Sequence, residues 1–424
     1  MRKNVCMIVQ HFYPADVRVR KEAAALVSRG HRVSVIALGD LGEKNQEVVD
    51  GVEVYRIFLS KKRAGPTRYI VEYIVFFLYC FYKLNILELK QKFDVVHINT
   101  LPDFLVFAAI IQKMKKEKIV LDMHEIMPEF FMSKFGVSAK HPVVRLLLFL
   151  EKISLKFADH VITINEPIKR IFQSRAIPDR PITVVMNTMD SASVATNFEK
   201  RDHSTFNCVY HGTITDIYGL DAALQGFAKA NKKISNLLFH VFGDGPDVPY
   251  LKRLVGELGV EDKVIFHGKV PHGMMIDALS RMDVGILATR KDIFLDLSFS
   301  NKLAEYVQLK IPVIASDLAA TKYYFSGEDI LFFEAGNTDD LCRKIEIAYT
   351  NRERISVMAE NAYERCRAIN WDIMAARYIE VIEQQDAKAK PKAVSESSVI
   401  REANEEATGP NERQKRVSSG RKAV

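Results

Sequence analysis

The sequence contains few cysteines and none of the closely spaced cysteine or histidine pairs that hold structural metals. Its five cysteines are far apart in a chain of 424 residues, and neither a CxxC nor an HxxxH motif occurs. No DxD loop with neighbouring ligands is present either. We therefore expect no metal and no cofactor, no disulfide framework, and a reducing compartment, the cytoplasm.

The chain also lacks an intact GxGxxG dinucleotide fingerprint, a signal-peptide cleavage site and a strong charge bias. The first apolar run, residues 5–9, is followed by His11 and Tyr13 instead of small residues, so we interpret it as a strand. The net charge of +7 is too small to indicate a nucleic-acid partner. A local basic surface for phosphate or for an anionic membrane stays open.

Short β-rich apolar runs alternate with longer helical patterns along the whole chain. This alternation predicts an α/β fold with doubly wound parallel sheets, and 424 residues suffice for two domains. We predict helices at residues 15–29, 101–116 and 143–157. The predicted strands are residues 5–9, 33–37, 52–57, 95–98, 119–121, 161–164, 182–186, 208–211, 237–242, 264–266, 284–287, 312–315 and 330–333.

Shifts in composition suggest the domain boundaries. We assign residues 1–190 to an N-terminal Rossmann-like domain, 191–206 to a polar linker and 207–369 to a second Rossmann-like domain. Residues 370–385 are expected to form a C-terminal helix. Residues 386–424 lack aromatic side chains and apolar periodicity, so they cannot bury enough surface to offset chain entropy, and we expect them to be disordered.

A polar segment just before the apolar strand 312–315 carries three residues suited to a nucleotide-sugar. Asn301, Lys302 and Glu305 are predicted to share one short helix. A helix start offers free backbone N–H groups to a phosphate, Lys302 can reach an anion, and Glu305 can accept hydrogen bonds from vicinal hydroxyls. The alternative is an ordinary amphipathic helix with a charged outer face.

Glycines follow two neighbouring strands of the second half. Gly212 and Thr213 come after one strand, and Gly243, Asp244 and Gly245 come after the next. Open parallel sheets bind ligands at the carboxyl ends of their strands, and backbone N–H groups in such loops can hold a diphosphate. The alternatives are simple turns with positive φ and, just before Gly212, an ordinary strand-end histidine.

The combined pattern resembles the retaining GT-B-fold glycosyltransferases of family 4, the glycosyl transferases group 1 of bacterial capsule, O-antigen and exopolysaccharide synthesis. The motifs that carry the resemblance include FYPADVRVRKEAAALVSRGHRVSVIA, FDVVHINT, VLDMHEIMPEF, GDGP and SNKLAEY. The resemblance covers about residues 4–385. It implies a GT-B fold, in which two Rossmann-like domains face each other across a cleft. The first would bind the acceptor and the second the nucleotide-sugar donor. The resemblance also implies that the C-terminal helix, residues 370–385, crosses back to the first domain.

The resemblance also implies roles for individual residues. Glu305 would accept from the ribose hydroxyls of the donor, Asn301 and Lys302 would lie near its phosphates, and the glycine loop at Gly212 would approach the diphosphate. The other donor-binding candidates are Thr213, Gly243, Asp244, Gly245 and Arg290.

In the first domain, the resemblance implies that His124 lies near the transferred sugar and orients it. A structural histidine at a helix start is the alternative. Glu125 follows His124, and Asp16 and Arg18 belong to the first loop, which would face the acceptor. The catalytic candidates are His124, Glu305 and Asp296.

The chain departs from the family pattern around the donor. Eight residues before Glu305 it has Leu297 where a glutamate is usual, and the adjacent Asp296 is a possible substitute. Tyr218 stands where a phosphate-binding lysine usually precedes Gly219. The cations that could replace the lost charge are Lys302, Arg290 and Lys291.

The resemblance implies a retaining hexosyl- or glycosyltransferase that moves a sugar to a saccharide or lipid-linked acceptor. Because of the departures, two other functions stay open. One is a non-catalytic homologue that scaffolds polysaccharide assembly, and the other is a nucleotide-sugar epimerase.

Residues 69–84 form the one apolar run that suggests a membrane. The run is shorter than a spanning helix needs, contains Glu72, and has lysines and arginines on both sides. A helix buried in the first domain and an interfacial helix on an anionic membrane both fit this composition. We therefore expect a cytoplasmic protein with possible peripheral contact at the inner face of the membrane.

Overall fold

The computed structural model describes residues 2–59, 66–188 and 204–384. Contacts divide the chain into two compact units. One holds the residues up to Asn187 and the C-terminal helix from Asp372, and the other holds Thr188–Trp371. Residues 191–203 of the predicted linker and the predicted disordered tail, 386–424, lie outside the described residues.

The first unit is built on an eight-stranded sheet of order β3-β4-β2-β1-β5-β6-β7-β8. Its pairs are parallel except β3–β4, which is an antiparallel hairpin at the edge. The strands are β1 (Asn4–Phe12), β2 (Arg32–Leu38), β3 (Gln46–Val49), β4 (Val52–Ile57), β5 (Val95–Asn99), β6 (Lys118–Met123), β7 (His160–Thr163) and β8 (Ile182–Val184). The strand order reverses between β1 and β5. A ligand is therefore expected at the carboxyl ends of these two strands.

The second unit contains a fully parallel six-stranded sheet of order β11-β10-β9-β12-β13-β14. Its strands are β9 (Phe206–His211), β10 (Leu237–Phe242), β11 (Val264–Gly268), β12 (Val284–Leu287), β13 (Val313–Ser316) and β14 (Leu331–Phe333). Here the order reverses between β9 and β12. Both sheets are therefore doubly wound, and the predicted α/β fold class is confirmed.

Helices cover the sheets. In the first unit they are α1 (Val17–Ser28), α2 (Pro66–Lys90), α3 (Ile110–Met114), α4 (Met127–Phe135), α5 (Pro142–Phe157), α6 (Glu166–Arg175) and α14 (Trp371–Glu383). In the second they are α7 (Leu220–Asn231), α8 (Val248–Leu258), α9 (His272–Ser280), α10 (Asn301–Gln308), α11 (Ala319–Tyr324), α12 (Thr338–Thr350) and α13 (Arg352–Arg367). Short 3₁₀ segments occur at Asp103–Ala109, Asp216–Tyr218 and Leu295–Leu297.

Two local features differ from the sequence-based expectation. Strand β3 was not predicted, because its four residues alternate between exposed and half-buried positions and carry little apolar signal. The helix expected at 101–116 begins instead as the 3₁₀ segment Asp103–Ala109, directly after Pro102. Proline has no N–H to donate and disfavours the helical conformation in the residue before it, so the helix starts late and irregularly.

Helix α14 packs on the first unit through polar contacts at its middle and at its C-terminal end. The Tyr378 hydroxyl lies 2.9 Å from Nδ1 of His97 on β5. Lys3 Nζ donates to the carbonyl oxygen of Ile382 at 2.8 Å, at the end of the helix. These bonds tie the end of the described chain to the first sheet, and the carbonyl groups at the helix C-terminus find a cation.

Helix α2 is longer than the apolar run predicted, and it has two unlike faces. One face is fully buried in the first unit through Phe76, Cys80 and Leu84. The opposite face exposes Ile74 and Leu78, at 47% and 57% of their surface. The stretch Ile70–Lys90 is long and apolar enough to cross a membrane by length and composition alone. The apolar helix is therefore longer than the run from which the sequence argued against a span, and its buried face shows that α2 is also part of the domain core.

Candidate active site

The loops after β9 and β10 meet at the carboxyl edge of the second sheet. The N–H of Gly212 donates to the carbonyl oxygen of Phe242 at 2.9 Å, and Gly243 follows directly. A φ of 115° at Gly212 and of 128° at Gly243 favours glycine at both positions. A Cβ atom on Gly243 would lie 1.8 Å from the Gly212 carbonyl oxygen, so only glycine allows the backbones to approach this closely. The edge therefore presents bare backbone beside the switch point of the sheet.

Lys302 of α10 lies across this glycine turn. A Cβ on Gly212 would meet its Cε at 2.4 Å, and its Nζ lies 3.6 Å from the centroid of the Tyr218 ring and 5.5 Å from that of Tyr210. Among the described residues, no carboxylate lies within ion-pair distance of this ammonium. Burial lowers the pKa of Lys302 to about 8, and Glu305 acts in the opposite direction. A desolvated cation at the carboxyl edge of a parallel sheet is a favourable place for an anion.

Glu305, one turn after Lys302, is held by a histidine. Its Oε2 makes a short contact with Nε2 of His211, the last residue of β9. The His211 ring is buried against the Tyr306 ring, with centroids 4.8 Å apart in an edge-to-face arrangement. The Glu305 side chain stays partly exposed, so the carboxylate can still accept hydrogen bonds from a ligand.

The two other cations proposed to replace the lost lysine are already paired. Arg290 Nη2 lies 2.7 Å from Asp216 Oδ1 and 2.9 Å from Asp221 Oδ2. Lys291 Nζ lies 3.0 Å from the carbonyl oxygen of Asp317 and 3.4 Å from its Oδ2. Arg290 therefore fastens the loop after β9 to α7, and of the three candidates Lys302 has the ammonium that faces no carboxylate at ion-pair distance.

Asp296, proposed as a substitute for the missing glutamate, accepts a hydrogen bond from the N–H of Ala319 at 2.8 Å. Ala319 is the first residue of α11, so Asp296 caps that helix. Its Oδ1 also lies 3.7 Å from Lys291 Nζ. These contacts give Asp296 a structural role, and its catalytic role stays a prediction.

The remaining predicted donor residues lie at the same sheet edge. The Thr213 carbonyl accepts from the Tyr210 hydroxyl at 2.7 Å, and the Thr213 side chain is exposed. Asp244 Oδ1 accepts from the N–H of Gly245 at 2.8 Å. Asn301 is exposed at the first position of α10. These residues surround the glycine turn at its open side.

In the first unit, His124 lies just after the end of β6 and is fastened by three polar neighbours. Its ring Nε2 is 3.2 Å from Asp122 Oδ2 and 3.3 Å from Asn99 Oδ1. Its backbone N–H donates to Thr100 Oγ1 at 3.1 Å. Asn99 is the last residue of β5 and Thr100 follows it, and β5 flanks the switch point of the first sheet. The imidazole is therefore oriented by groups from two neighbouring strand ends and remains partly exposed.

Arg18 does not belong to the first loop, contrary to the sequence-based expectation, because it is the second residue of α1. It is buried, and it binds Asp122 through Nε at 2.8 Å and Nη2 at 2.9 Å, while Nη1 donates to the carbonyl oxygen of Val185 at 2.7 Å. Asp16 is the N-cap of α1 and accepts from the N–H of Val19 at 3.1 Å. Because Asp16 starts the helix, Arg18 falls on its inner face, against the sheet.

Asp122 is therefore the centre of a buried polar cluster. Burial would raise its pKa, but Arg18 and then His124 oppose this and hold the pKa well below its usual range. A carboxylate oxygen of Glu22, a ring nitrogen of His97 and a carboxylate oxygen of Asp122 all lie within 4.8 Å of one another. Burial raises the pKa of Glu22 well above its usual value and lowers that of His97 to about 4. The guanidinium of Arg18 supplies the positive charge of this cluster.

Glu125, predicted on the acceptor side, is half-buried beside His124. Burial raises its pKa, and His124 acts in the opposite direction. Sequence reasoning missed Asp122, His211 and Tyr218 as contributors. Asp122 was detectable, because it lies near a strand end two positions before His124, and residues two apart in an extended chain point to the same side. The contacts of His211 and Tyr218 join residues more than 80 positions apart and leave no local signal.

Comparison with known proteins gives two family matches that together cover most of the chain. The glycosyl transferase 4-like domain family matches residues 15–188, and the glycosyl transferases group 1 family matches residues 205–351. These ranges correspond to the two Rossmann-like sheets.

Curated relatives match only in part. An exopolysaccharide phosphotransferase of Streptomyces coelicolor is 25% identical over 164 residues, 38% of this chain and 17% of that protein. The alpha-D-kanosaminyltransferase of Streptomyces kanamyceticus is 23% identical over 155 residues, 36% of this chain and 39% of that protein. The matches thus span less than two fifths of either relative.

Solved structures match over nearly the whole fold. The sucrose-phosphate synthase of Thermosynechococcus elongatus has a TM-score of 0.69 at 17% identity, covering 90% of this chain and 98% of that one. HepE of Anabaena in complex with UDP has a TM-score of 0.65 at 14% identity, covering 90% and 99%. At these identities, the likeness establishes the fold.

Proposed function

Since the chain belongs to the GT-B glycosyltransferases of group 1, we propose that it transfers a sugar, with retention, from a nucleoside-diphosphate sugar to a saccharide or lipid-linked acceptor. The proposed role is the assembly of cell-surface polysaccharide. The observation that carries the proposal is the Lys302 ammonium, which lies over the Tyr218 ring beside the Gly212 turn, on the same helix as Glu305 and one turn before it.

The donor would fit this edge group by group. Lys302 and the backbone N–H groups at the start of α10 suit a diphosphate, and the partly exposed Glu305 carboxylate suits the two hydroxyls of a ribose. The neighbour solved with UDP supports a uridine nucleotide as the first candidate. Lys302 takes the part of the lysine that Tyr218 replaces, and the Tyr218 ring supports it.

The main chemical requirement of the proposed transfer is stabilisation of the leaving group. Negative charge grows on the departing diphosphate, and a preorganised cation in a water-poor site is effective there, since removing one such group typically costs about 10²–10³ in rate. In the first unit, His124 would orient the transferred sugar through a hydrogen bond, while Asp122 and Asn99 hold its ring. By resemblance, the leaving phosphate itself assists the incoming hydroxyl. The proposed step requires no metal or cofactor.

A donor assay tests this function. Purified protein is offered a panel of nucleoside-diphosphate sugars with lipid-linked and free saccharide acceptors, and release of the nucleoside diphosphate is measured. Release that depends on the acceptor supports transfer. Isomerised sugar without release of the nucleoside diphosphate would favour the epimerase. No reaction with any donor and acceptor would favour the scaffold.

Variants connect the assay to the site. We expect Lys302→Ala to lower kcat/KM for the donor by about 10²-fold or more. Lys310→Ala is the matched control, because Lys310 also stacks on a tyrosine, with Nζ 4.5 Å from the Tyr363 ring, and pairs with Glu360. Equal effects of the two substitutions would contradict the proposed donor site.

We also propose that the protein works at the inner face of the cytoplasmic membrane, where a lipid-linked acceptor would be found. The apolar side chains exposed on the outer face of α2 support this, as do Leu146 and Phe149 on α5, exposed at 55% and 58%. The exposed basic residues Lys115 and Lys116 follow α3. An apolar surface with lysines nearby is typical of interfacial binding to anionic lipid.

Vesicle sedimentation tests the membrane contact. The double variant Ile74→Ser with Leu78→Ser removes exposed apolar groups, whereas changing Phe76 would damage the core in which it is buried. We expect the double variant to lose most of its binding to phosphatidylglycerol vesicles. Val357→Ser, at an exposed apolar site of the second unit, is the control. Unchanged sedimentation of the double variant would contradict the membrane contact.

A further inference from the structure

His211 touches the carboxylate that the proposed donor site presents. It ends β9, directly before the Gly212 turn, and only 2% of its surface is exposed. Its Nε2 contacts Glu305 Oε2, so the carboxylate of a helix is fastened to the end of a strand. The sequence assigned no function to this histidine beyond that of a strand end.

The position of His211 is itself strongly constrained. Its ring packs edge-to-face on the ring of Tyr306, the residue that follows Glu305 on α10. The Tyr306 hydroxyl donates to the carbonyl oxygen of Val209 on β9 at 3.3 Å. A Cβ on Gly285 of β12 would lie 2.5 Å from the Tyr306 ring, so this ring fills the space above that glycine. The imidazole therefore has a fixed place from which to hold Glu305.

This contact matters because Lys302 and Glu305 are three residues apart on one helix. At that spacing, opposite charges on a helix surface normally attract and can pair. In the described chain, Glu305 instead bonds to His211, and the Lys302 ammonium lies over Tyr218. Direct pairing would neutralise the two charges that a nucleoside diphosphate needs separately.

We propose that His211 is a positioning residue that holds Glu305 toward the donor ribose and away from Lys302. This inference rests on the proposed function and deepens it. The strand-end histidine keeps the anion of α10 available for hydroxyl groups and the cation of α10 available for phosphate. A glutamate with free rotamers would lose side-chain entropy on binding, and the His211 contact reduces that loss before the donor arrives.

Ribose preference tests this inference. Affinities are measured for UDP, GDP and ADP and for their 2′-deoxy counterparts with wild-type protein, His211→Leu and His211→Gln. We expect His211→Leu to weaken the ribonucleotide that binds best by roughly tenfold and to weaken its deoxy counterpart much less. His211→Gln keeps an N–H donor and should retain most of the preference. His267→Leu, at an exposed histidine of β11 stacked on Phe242, is the control.

A purely structural role would lower both affinities equally, and that result would overturn the inference. In an otherwise identical Glu305→Gln background, His211→Leu should cause no further loss of ribose preference. If Glu305→Gln abolishes the preference and His211→Leu leaves it intact, the inference fails and the proposed donor site stands. If wild-type protein binds no nucleoside diphosphate, or Glu305→Gln changes nothing, both fail.

Discussion

The two units each carry a histidine bound to a carboxylate at the end of a strand, but the two pairs are inverted. In the first unit the acid is buried and the histidine is open, since the Asp122 side chain is 0% exposed and that of His124 is 19% exposed. In the second unit the histidine is buried and the acid is open, with His211 at 3% and Glu305 at 18%. The buried partner thus decides which group faces a ligand.

This inversion separates two kinds of recognition. An ionised carboxylate only accepts hydrogen bonds, which suits a pair of ribose hydroxyls, whereas an imidazole can donate as well as accept, which suits a sugar hydroxyl. The cost of burial is also met differently. Asp122 is neutralised by a two-point contact with Arg18, and His211 is packed against an aromatic ring. The first pair is therefore expected to contribute more to stability and the second more to donor affinity.

The largest expected effect is the loss of Asp122. Asp122→Ala removes the two-point partner of the buried Arg18 guanidinium and leaves it with Glu22, whose Oε1 lies 3.3 Å from Arg18 Nε. Breaking a buried pair typically costs about 3–5 kcal/mol of unfolding free energy, and we expect a loss toward the lower end of that range. Urea denaturation measures the loss, and Asp262→Ala is the control, because Asp262 is an exposed acid 3.7 Å from Lys263. Equal unfolding free energies of the two variants would contradict the claim that the Asp122–His124 pair contributes more to stability than the His211–Glu305 pair.

The next effect is on the open carboxylate of the second pair. Glu305→Gln removes a charged acceptor with little change in shape, and we expect donor affinity to fall roughly 10–100-fold with unfolding free energy nearly unchanged. Calorimetric titration with the donor nucleotide and a urea curve on the same sample check both parts. A variant that lost stability but kept its nucleotide affinity would show that Glu305, like Asp122, serves stability and not donor binding.

The pH dependence of nucleotide binding sharpens the role of Lys302. Its pKa of about 8 means that the free protein loses this charge as pH rises above 8, while Tyr210 and Tyr218, whose pKa values are raised by burial, stay neutral. Diphosphate affinity should therefore fall above pH 8, by up to about tenfold per pH unit, and binding should take up a proton. Lys302→Arg, which keeps its charge, should abolish the fall. If diphosphate affinity still falls above pH 8 in Lys302→Arg, a group other than Lys302 causes the fall.

The smallest expected effect concerns the aromatic support of Lys302. Tyr218→Leu removes the ring that lies 3.6 Å from the ammonium, and a contact of this kind is worth about 0.5–2 kcal/mol. Diphosphate affinity should fall by a few-fold up to about thirtyfold. Tyr82→Leu, on the exposed face of α2, should leave that affinity unchanged.

The sequence was sufficient for the features that follow local rules. Alternating strands and helices predicted both doubly wound sheets, and the strand-end rule placed Gly212, Lys302 and Glu305 at one edge. It could not place Arg18, because a helix N-cap two residues earlier decides which face an arginine takes, and apolar periodicity says nothing about a polar core. The pairing of His211 with Glu305 depends on the packing of Tyr306 above Gly285, which a single sequence does not encode in any short pattern.

The central claim is that the Gly212 turn, Lys302 and Glu305 together bind a nucleoside diphosphate. Isothermal titration of UDP, GDP and ADP into wild-type protein and Lys302→Ala at pH 7 tests it most directly. We predict that at least one of the three binds wild-type protein with one-to-one stoichiometry and that Lys302→Ala weakens it at least tenfold. Absence of binding for all three nucleotides, or equal binding by both proteins, would contradict the claim.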